Sequence, residues 1–263
     1  MPKRAFAVGA HPDDIEIMMA GTLLLLGQTG YELHYMNIAN GNCGTNQMGR
    51  DEIAAVRLVE ARNAAAKLGA TFHAPVANDV EVFYNKELLA KVAAVMREVG
   101  PEILLVHSPD DYMEDHTNAC RLACTAAFTR AMPNYPTNPT GPPVSQDVTI
   151  YHAQPWSNRG QLNQLIYPQM FINIEAVLQT KRAALAEHKS QKDWLDESQG
   201  VDSYLDEMAT QGREVGGLSG QFAYAEGWRR HNPQGYCAVD ADPLAVALKD
   251  VLLMTPEIDP MSF

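Results

Sequence analysis

Residues 103–106 read Ile-Leu-Leu-Val, a run without a polar position, bounded by Gly100-Pro101 in front and by a polar loop, His107 to Asp115, behind. A strand with one wet face alternates. A strand this uniformly apolar must be covered on both faces. That requirement narrows the architecture, because a sheet buried on both sides needs helices on both sides. The first half of the chain supplies them. A strand at 4–9, a helix at 15–26 closed by Gly27 and Gly30, a strand at 31–39, a helix at 51–68 closed by Gly69, a strand at 71–76, a helix at 86–99 and a helix at 116–131 alternate in order. The stripe Ile53, Val56, Val59, Ala64 and Leu68 marks one of these helices at its 3.6-residue period. The alternation predicts an α/β fold: a Rossmann-like, mostly parallel sheet with helices on both faces and strand order 3-2-1-4-5. Strands 1 and 4 are then neighbours where the chain reverses direction, so the loops after them face one crevice. No G-x-G-x-x-G follows strand 1, which argues against a dinucleotide.

The loop after strand 1 is Ala10-His11-Pro12-Asp13-Asp14. Adjacent carboxylates repel each other and draw a neighbouring imidazole toward its charged form. A divalent cation relieves both tensions, pairing with carboxylate and keeping the imidazole neutral. Capping of the next helix accounts for one aspartate, but not for His11 and two. The loop after strand 4 ends in Asp115-His116 at a helix start. His11, Asp14 and His116 form a two-histidine, one-carboxylate set that suits zinc with one open position. The same triad can also hold ferrous iron. Asp13 is left beside the metal, placed to take a proton from a metal-held water.

Charge and cysteine content limit the alternatives. Lys and Arg number 20 against 32 Asp and Glu, a formal charge of −12, which argues against nucleic acid or an anionic membrane as partner. The apolar stretch at 5–10 is too short for a secretory signal, and the one at 18–26 is interrupted by Gly21 and Thr22. A soluble cytoplasmic protein is expected. Four cysteines contain no C-x-x-C pair. Cys120 and Cys124 lie one helical turn apart, a spacing that suits a metal, although buried reduced thiols are the favoured reading.

Taken together, these motifs resemble the PIG-L/LmbE-like family of zinc-dependent N-deacetylases. That family includes N-acetylglucosaminyl-phosphatidylinositol de-N-acetylases and the deacetylases of mycothiol and bacillithiol synthesis. Two further segments carry the resemblance: Arg57-Leu58-Val59-Glu60 with Ala64-Ala65 and Leu68-Gly69, and His188-Lys189-Ser190-Gln191. The resemblance implies a Rossmann-like fold without a dinucleotide, Zn2+ held by His11, Asp14 and His116, and Asp13 as general base. It also implies substrate contacts at Arg57 and His188; an Arg–Glu pair on a solvated helix face is the alternative for Arg57. The implied reaction removes an N-acetyl group from an amino sugar or its conjugate. One domain over 1–263 is expected, with 134–263 carrying family-variable additions, in a homo-oligomer. In that second part, strands at 149–153 and 170–174, helices at 175–188 and 202–212, and a helical run at 244–253 are expected. Trp156, Trp228, Arg159, Arg229 and Arg230 are candidates for a sugar site, with core packing the alternative for each tryptophan.

Two departures from the family's pattern stand out. Its second motif is commonly Asp-Tyr-His-Pro-Asp-His, whereas residues 111–116 read Asp-Tyr-Met-Glu-Asp-His. Met113 thus replaces the histidine thought to polarise the carbonyl or protonate the leaving amine. Asp13, His188 and His231 are the candidates to take over. The family's Gly-Glu after strand 2 is Gly41-Asn42. Two other readings therefore stand beside the deacetylase: a metal-dependent amidase or esterase on another substrate, and a metal-bound, non-catalytic binding protein.

Overall fold

The computed structural model describes residues 2–192 and 204–255. In chain order its elements are β1 (Arg4–Gly9), α1 (Asp14–Met18), α2 (Ala20–Gln28), β2 (Glu32–Asn37), α3 (Arg50–Lys67), β3 (Ala70–His73), α4 (Lys86–Val99), β4 (Ile103–Val106) and α5 (Glu114–Thr129). Then follow β5 (Thr149–Ala153), β6 (Met170–Asn173), α6 (Leu178–Leu185), α7 (Tyr204–Ser219), β7 (Ala225–Arg230), α8 (Pro243–Ala247) and β8 (Leu252–Met254). The sheet order is β3-β2-β1-β4-β5-β7-β6-β8. Its first five strands are parallel and follow the expected 3-2-1-4-5 order. The C-terminal strands extend the same sheet in antiparallel fashion.

Strand alternation divides the interior in two. Ala5, Ala7, Ile103 and Leu105 face a cluster with α2, α3, α6 and α7, which includes Leu23, Ala61, Leu185 and Met208. Their chain neighbours Phe6, Val8, Leu104 and Val106 face α4 and α5, against Val92, Met96, Leu122 and Ala123. Successive side chains point to opposite faces, so a strand with helices on both sides has no position for a polar residue. This is why 103–106 is uniformly apolar.

Three expectations for local structure are corrected. The helix expected at 15–26 is broken at Met19. The amides of Gly21 and Thr22 bond the Glu226 carboxylate at 2.8 and 2.7 Å, so a distant side chain satisfies the first turn of α2 in place of preceding carbonyls. The helical run expected at 244–253 is a short helix, α8, capped by Asp242, followed by edge strand β8 pairing with β6. Strand β7 was not anticipated, because Glu226 and Gly227 interrupt any apolar alternation there. The helix expected at 202–212 runs from Tyr204 to Ser219, and residues 202 and 203 lie outside the described ones.

Glu226 also receives Lys181 Nζ at 2.6 Å, with both side chains almost fully buried. The pair ties β7, α6 and the start of α2 together. Lys181→Met leaves that carboxylate without its cation, and the expected cost is about 3–5 kcal/mol of unfolding free energy. Adding Glu226→Gln to Lys181→Met should recover part of the loss, measured by urea denaturation. Equal stability of wild type and Lys181→Met would show that the pair is not holding the elements together.

Candidate metal centre

The sheet places the ends of β1 and β4 side by side, with Val8 opposite Val106. The loops beyond them bring His11, Asp14 and His116 together. One ligand atom from each lies within 4.8 Å of the others, and all three residues are buried. His116 Nε2 is 3.3 Å from Asp14 Oδ1. Two donors held about 2.0–2.2 Å from one tetrahedral zinc ion are about 3.4 Å apart, so the spacing fits a divalent cation.

The remaining polar atoms fix which donors are free. Asp14 Oδ2 accepts the backbone N–H groups of Ala10 and His11, at 3.1 and 2.7 Å, leaving Oδ1 to face His116. His116 Nδ1 bonds Asp111 Oδ1 at 3.0 Å, leaving Nε2. His11 Nε2 bonds Asp115 Oδ2 at 2.9 Å, leaving Nδ1. Asp115 is fixed in turn by the Val80 N–H at 2.6 Å. Carboxylates on the outer nitrogen are what orient metal-ligating imidazoles and raise their basicity. His107, fully buried, stacks on His116 with ring centroids 4.2 Å apart and accepts the Ala10 N–H at 2.9 Å.

The electrostatics match a cation site. Burial disfavours charge on His11, but its hydrogen bonds to the Asp115 and Asp14 carboxylates outweigh it and raise its pKa to about 9. Burial is likewise outweighed at His116, where Asp14 and Asp111 raise the pKa to about 10. Asp14 is held well below the usual carboxylate range, burial being overcome by His116 and His107. In the metal-free chain both imidazoles therefore carry protons at neutral pH, and a cation must displace them. Zn2+ affinity is expected to rise by about 10–100-fold per pH unit between pH 6 and 8, as one or two protons are released. Competition with a chelator at several pH values measures this; a flat profile would mean that the imidazoles bind already neutral.

Asp13 stands beside the cluster with φ 113°, a left-handed conformation that costs energy for any residue with a side chain. Its Oδ2 accepts the Tyr204 hydroxyl at 2.7 Å and lies 3.4 Å from an Arg57 nitrogen. Burial raises its pKa to about 6, against the pull of Arg57. Arg57 is 3% exposed, so it does not occupy a solvated helix face. It passes beneath the loop after β2, bonding the Pro12 carbonyl at 2.5 Å. Gly41, with φ 79°, is required there: a Cβ would lie 2.5 Å from the Arg57 side chain. Glu60 does not pair with Arg57. It bonds Ser190 through both the backbone N–H, at 2.9 Å, and the hydroxyl, at 2.6 Å, interlocking the Arg-x-x-Glu and His-x-Ser-Gln segments.

The cluster opens into a cavity of 490 Å³ walled by His11, Asp13, Asp14, Arg57, Asp79, Tyr112, Met113, His116, Trp156, Tyr204 and Glu207, among others. A more open depression of 770 Å³ along α4 contains none of the clustered ligands. His188 is fully buried and outside the cavity wall, with Nε2 3.5 Å from Glu16 Oε1. Of the proposed sugar contacts, Trp156 reaches the wall. Trp228 is a core residue whose indole N–H bonds Thr22, and Arg229 bonds Ser108. Arg159 and Arg230 bond backbone carbonyls elsewhere. His231 is bonded to His152 at 2.8 Å and does not line the cavity, which removes it as a stand-in for the missing histidine. Sequence reading missed Tyr204, Asp79, His107 and the orienting roles of Asp111 and Asp115. Only the last two carried a signal, as carboxylates within five residues of His116.

Residues 6–128 match the PIG-L family, described as GlcNAc-PI de-N-acetylase. The matched segment runs from β1 into α5 and contains both of the loops that meet at the crevice. Two of the proteins the chain is similar to are enzymes of different kinds. It is 28% identical over 201 residues to diacetylchitobiose deacetylase of Thermococcus kodakarensis, covering 72% of this chain and 70% of that protein. It is 29% identical over 192 residues to 4-oxalmesaconate hydratase of Pseudomonas putida, covering 70% and 72%. The structure of N,N'-diacetylchitobiose deacetylase from Pyrococcus horikoshii matches with a TM-score of 0.72 at 23% identity, over 92% of this chain and 88% of that one, a likeness of fold. Among the described residues no helix is long and apolar enough to cross a membrane.

Proposed function

We propose that the chain is a metal-dependent N-deacetylase, removing the acetyl group from an acylated amino sugar or a conjugate of one. The observation that carries the reading is Asp13: a strained, buried carboxylate, not needed as a ligand, in one cavity with a two-histidine, one-carboxylate set. A divalent cation held by His11, Asp14 and His116 supplies Lewis acidity toward water and the acyl oxygen. Everything else falls to the chain's own side chains. Asp13 takes the proton of the attacking water, and the burial that raises its pKa helps it hold that proton before giving it back. Tyr204 and Arg57 hold the carboxylate in place. Met113 has no proton to offer, so Asp13 is also the donor to the departing amine. His188 acts on Asp13 from behind through charge, and does not touch substrate. Tyr112 packs edge-on to His116, 5.6 Å between ring centroids, and puts a hydroxyl donor at the cavity wall.

The cavity's charge favours the deacetylase reading over a hydratase. Asp13, Asp14, Asp79 and Glu207 face it, while Arg57 is bonded to the Pro12 carbonyl. A divalent cation and Arg57 together do not balance four carboxylates. A polycarboxylate such as 4-oxalmesaconate meets net repulsion there, whereas a neutral amide that leaves as a cationic amine does not. Trp156 and Tyr112 line the cavity with aromatic rings of the kind sugars pack against. The test is acetate release by the Zn2+-loaded chain from a panel of N-acetylated amino sugars, their conjugates and simple esters. Acetate from the sugars supports the reading. Hydration of an unsaturated polycarboxylate, with no acetate from any amide, would overturn it.

A further inference from the structure

On the sheet side of α5, Cys120 and Cys124 meet His152 of β5. All three are buried, and one ligand atom from each lies within 4.8 Å of the others. We propose that Cys120, Cys124 and His152 form a second cation site, distinct from the His11–Asp14–His116 cluster, for a thiophilic ion such as Zn2+.

Three observations converge on it. The donors are two sulfurs and an imidazole nitrogen, the soft set that selects zinc over magnesium or calcium. The spacing is that of a shared ion: Cys120 Sγ is 3.5 Å from His152 Nδ1. Bonds of about 2.3 Å to sulfur and about 2.0–2.1 Å to nitrogen, at a tetrahedral angle, separate the two donors by about 3.5 Å. The other ring nitrogen of His152 is bonded to His231 Nδ1 at 2.8 Å, the kind of outer contact that orients a ligating imidazole. The His107 carbonyl oxygen, 2.9 Å from His152 Nδ1, lies beside the same position. Without an ion, that carbonyl is the partner of His152. Cys120 is then a neutral thiol, its pKa raised first by the hydrogen bond with Cys124 and then by burial. On binding, each thiol gives its proton to solvent as its sulfur bonds the ion, and His152 changes tautomer, giving up the Nδ1 proton it donated to the His107 carbonyl and carrying one on Nε2 toward His231 Nδ1, with solvent exchanging the protons and nothing oxidised or reduced.

The site would clamp α5 to β5. His116 lies in the first turn of α5, one turn before Cys120, and His107, whose backbone borders the site, stacks on His116.

Co2+ distinguishes the two sites, because the first offers nitrogen and oxygen donors and the second offers thiolates. Full-length protein titrated with Co2+ should bind two ions and develop an intense thiolate-to-metal charge-transfer band in the near ultraviolet. Cys120→Ala and Cys124→Ala should each abolish the band and release one ion, whereas His116→Ala should keep the band. Cys124→Ser, close in size to the native side chain, repeats the test should an alanine variant fold poorly by circular dichroism. Binding of a single ion without the band overturns the proposal. A band that survives Cys120→Ala/Cys124→Ala, and so arises from Cys43 or Cys237, overturns it equally.

Discussion

Asp13→Asn is expected to lower kcat by about 10²–10⁴-fold while the protein still binds metal at wild-type stoichiometry. The substitution isolates one property. Asparagine has nearly the shape of aspartate, and its oxygen can still accept the Tyr204 hydroxyl that Asp13 accepts at 2.7 Å. Asparagine is also among the residues that best tolerate positive φ, so the backbone at 113° is not a reason for misfolding. What disappears is the ability to take and return a proton. Acetate-release kinetics alongside metal analysis measures both quantities on one sample. Turnover within tenfold of wild type would place the base elsewhere in the cavity. In the wild type the same carboxylate predicts an acid limb: below about pH 6 it is protonated and the rate falls about tenfold per unit. A bound cation beside Asp13 favours its ionised form and moves that limb lower, never higher.

His116→Ala is expected to abolish both metal retention and activity. Nε2 of His116 faces Asp14 Oδ1 at 3.3 Å, whereas His107 Nε2 lies against the other oxygen, Oδ2, at 3.1 Å and takes the Ala10 N–H. Loss of a ligand should exceed the effect of losing an orienting partner, which is about 10–100-fold in affinity. Asp111→Asn, which weakens the hold on His116 Nδ1 but leaves the ligand, should fall in that smaller range. Full zinc occupancy in purified His116→Ala, after dialysis against a chelator, would sink the ligand assignment. The two variants divide the site: Asp13→Asn separates proton transfer from metal binding, and His116→Ala removes the metal position itself.

How much of this was legible in sequence depended on distance along the chain. His11, Asp13 and Asp14 stand within four residues, and His116 begins a helix after a strand whose apolar run was unmistakable. Contributions from remote segments left no such mark. Tyr204 lies 191 residues from the carboxylate it bonds, and a tyrosine near a helix start has many ordinary explanations. Trp228 and Glu226 illustrate the same limit. Both were placed by the pairing of β7 between β5 and β6, and neither Trp228's burial nor Glu226's capping of α2 from across the sheet is a property of its local sequence.

The run Ile103 to Val106 and the strand–helix alternation around it determined the parallel half of the sheet. Apolar periodicity is set residue by residue, and a doubly covered sheet tolerates few strand orders. The same alternation placed the two polar loops at one crevice. Tertiary structure alone decided how the crevice is armed. It set which oxygen of Asp14 is left free, which nitrogen of each histidine is held by Asp111 or Asp115, and that His188 is buried against Glu16. It also brought His152 against Cys120 and Cys124. Those outcomes depend on directions and separations of a few tenths of an ångström between atoms far apart in the chain, and only the packed fold sets them.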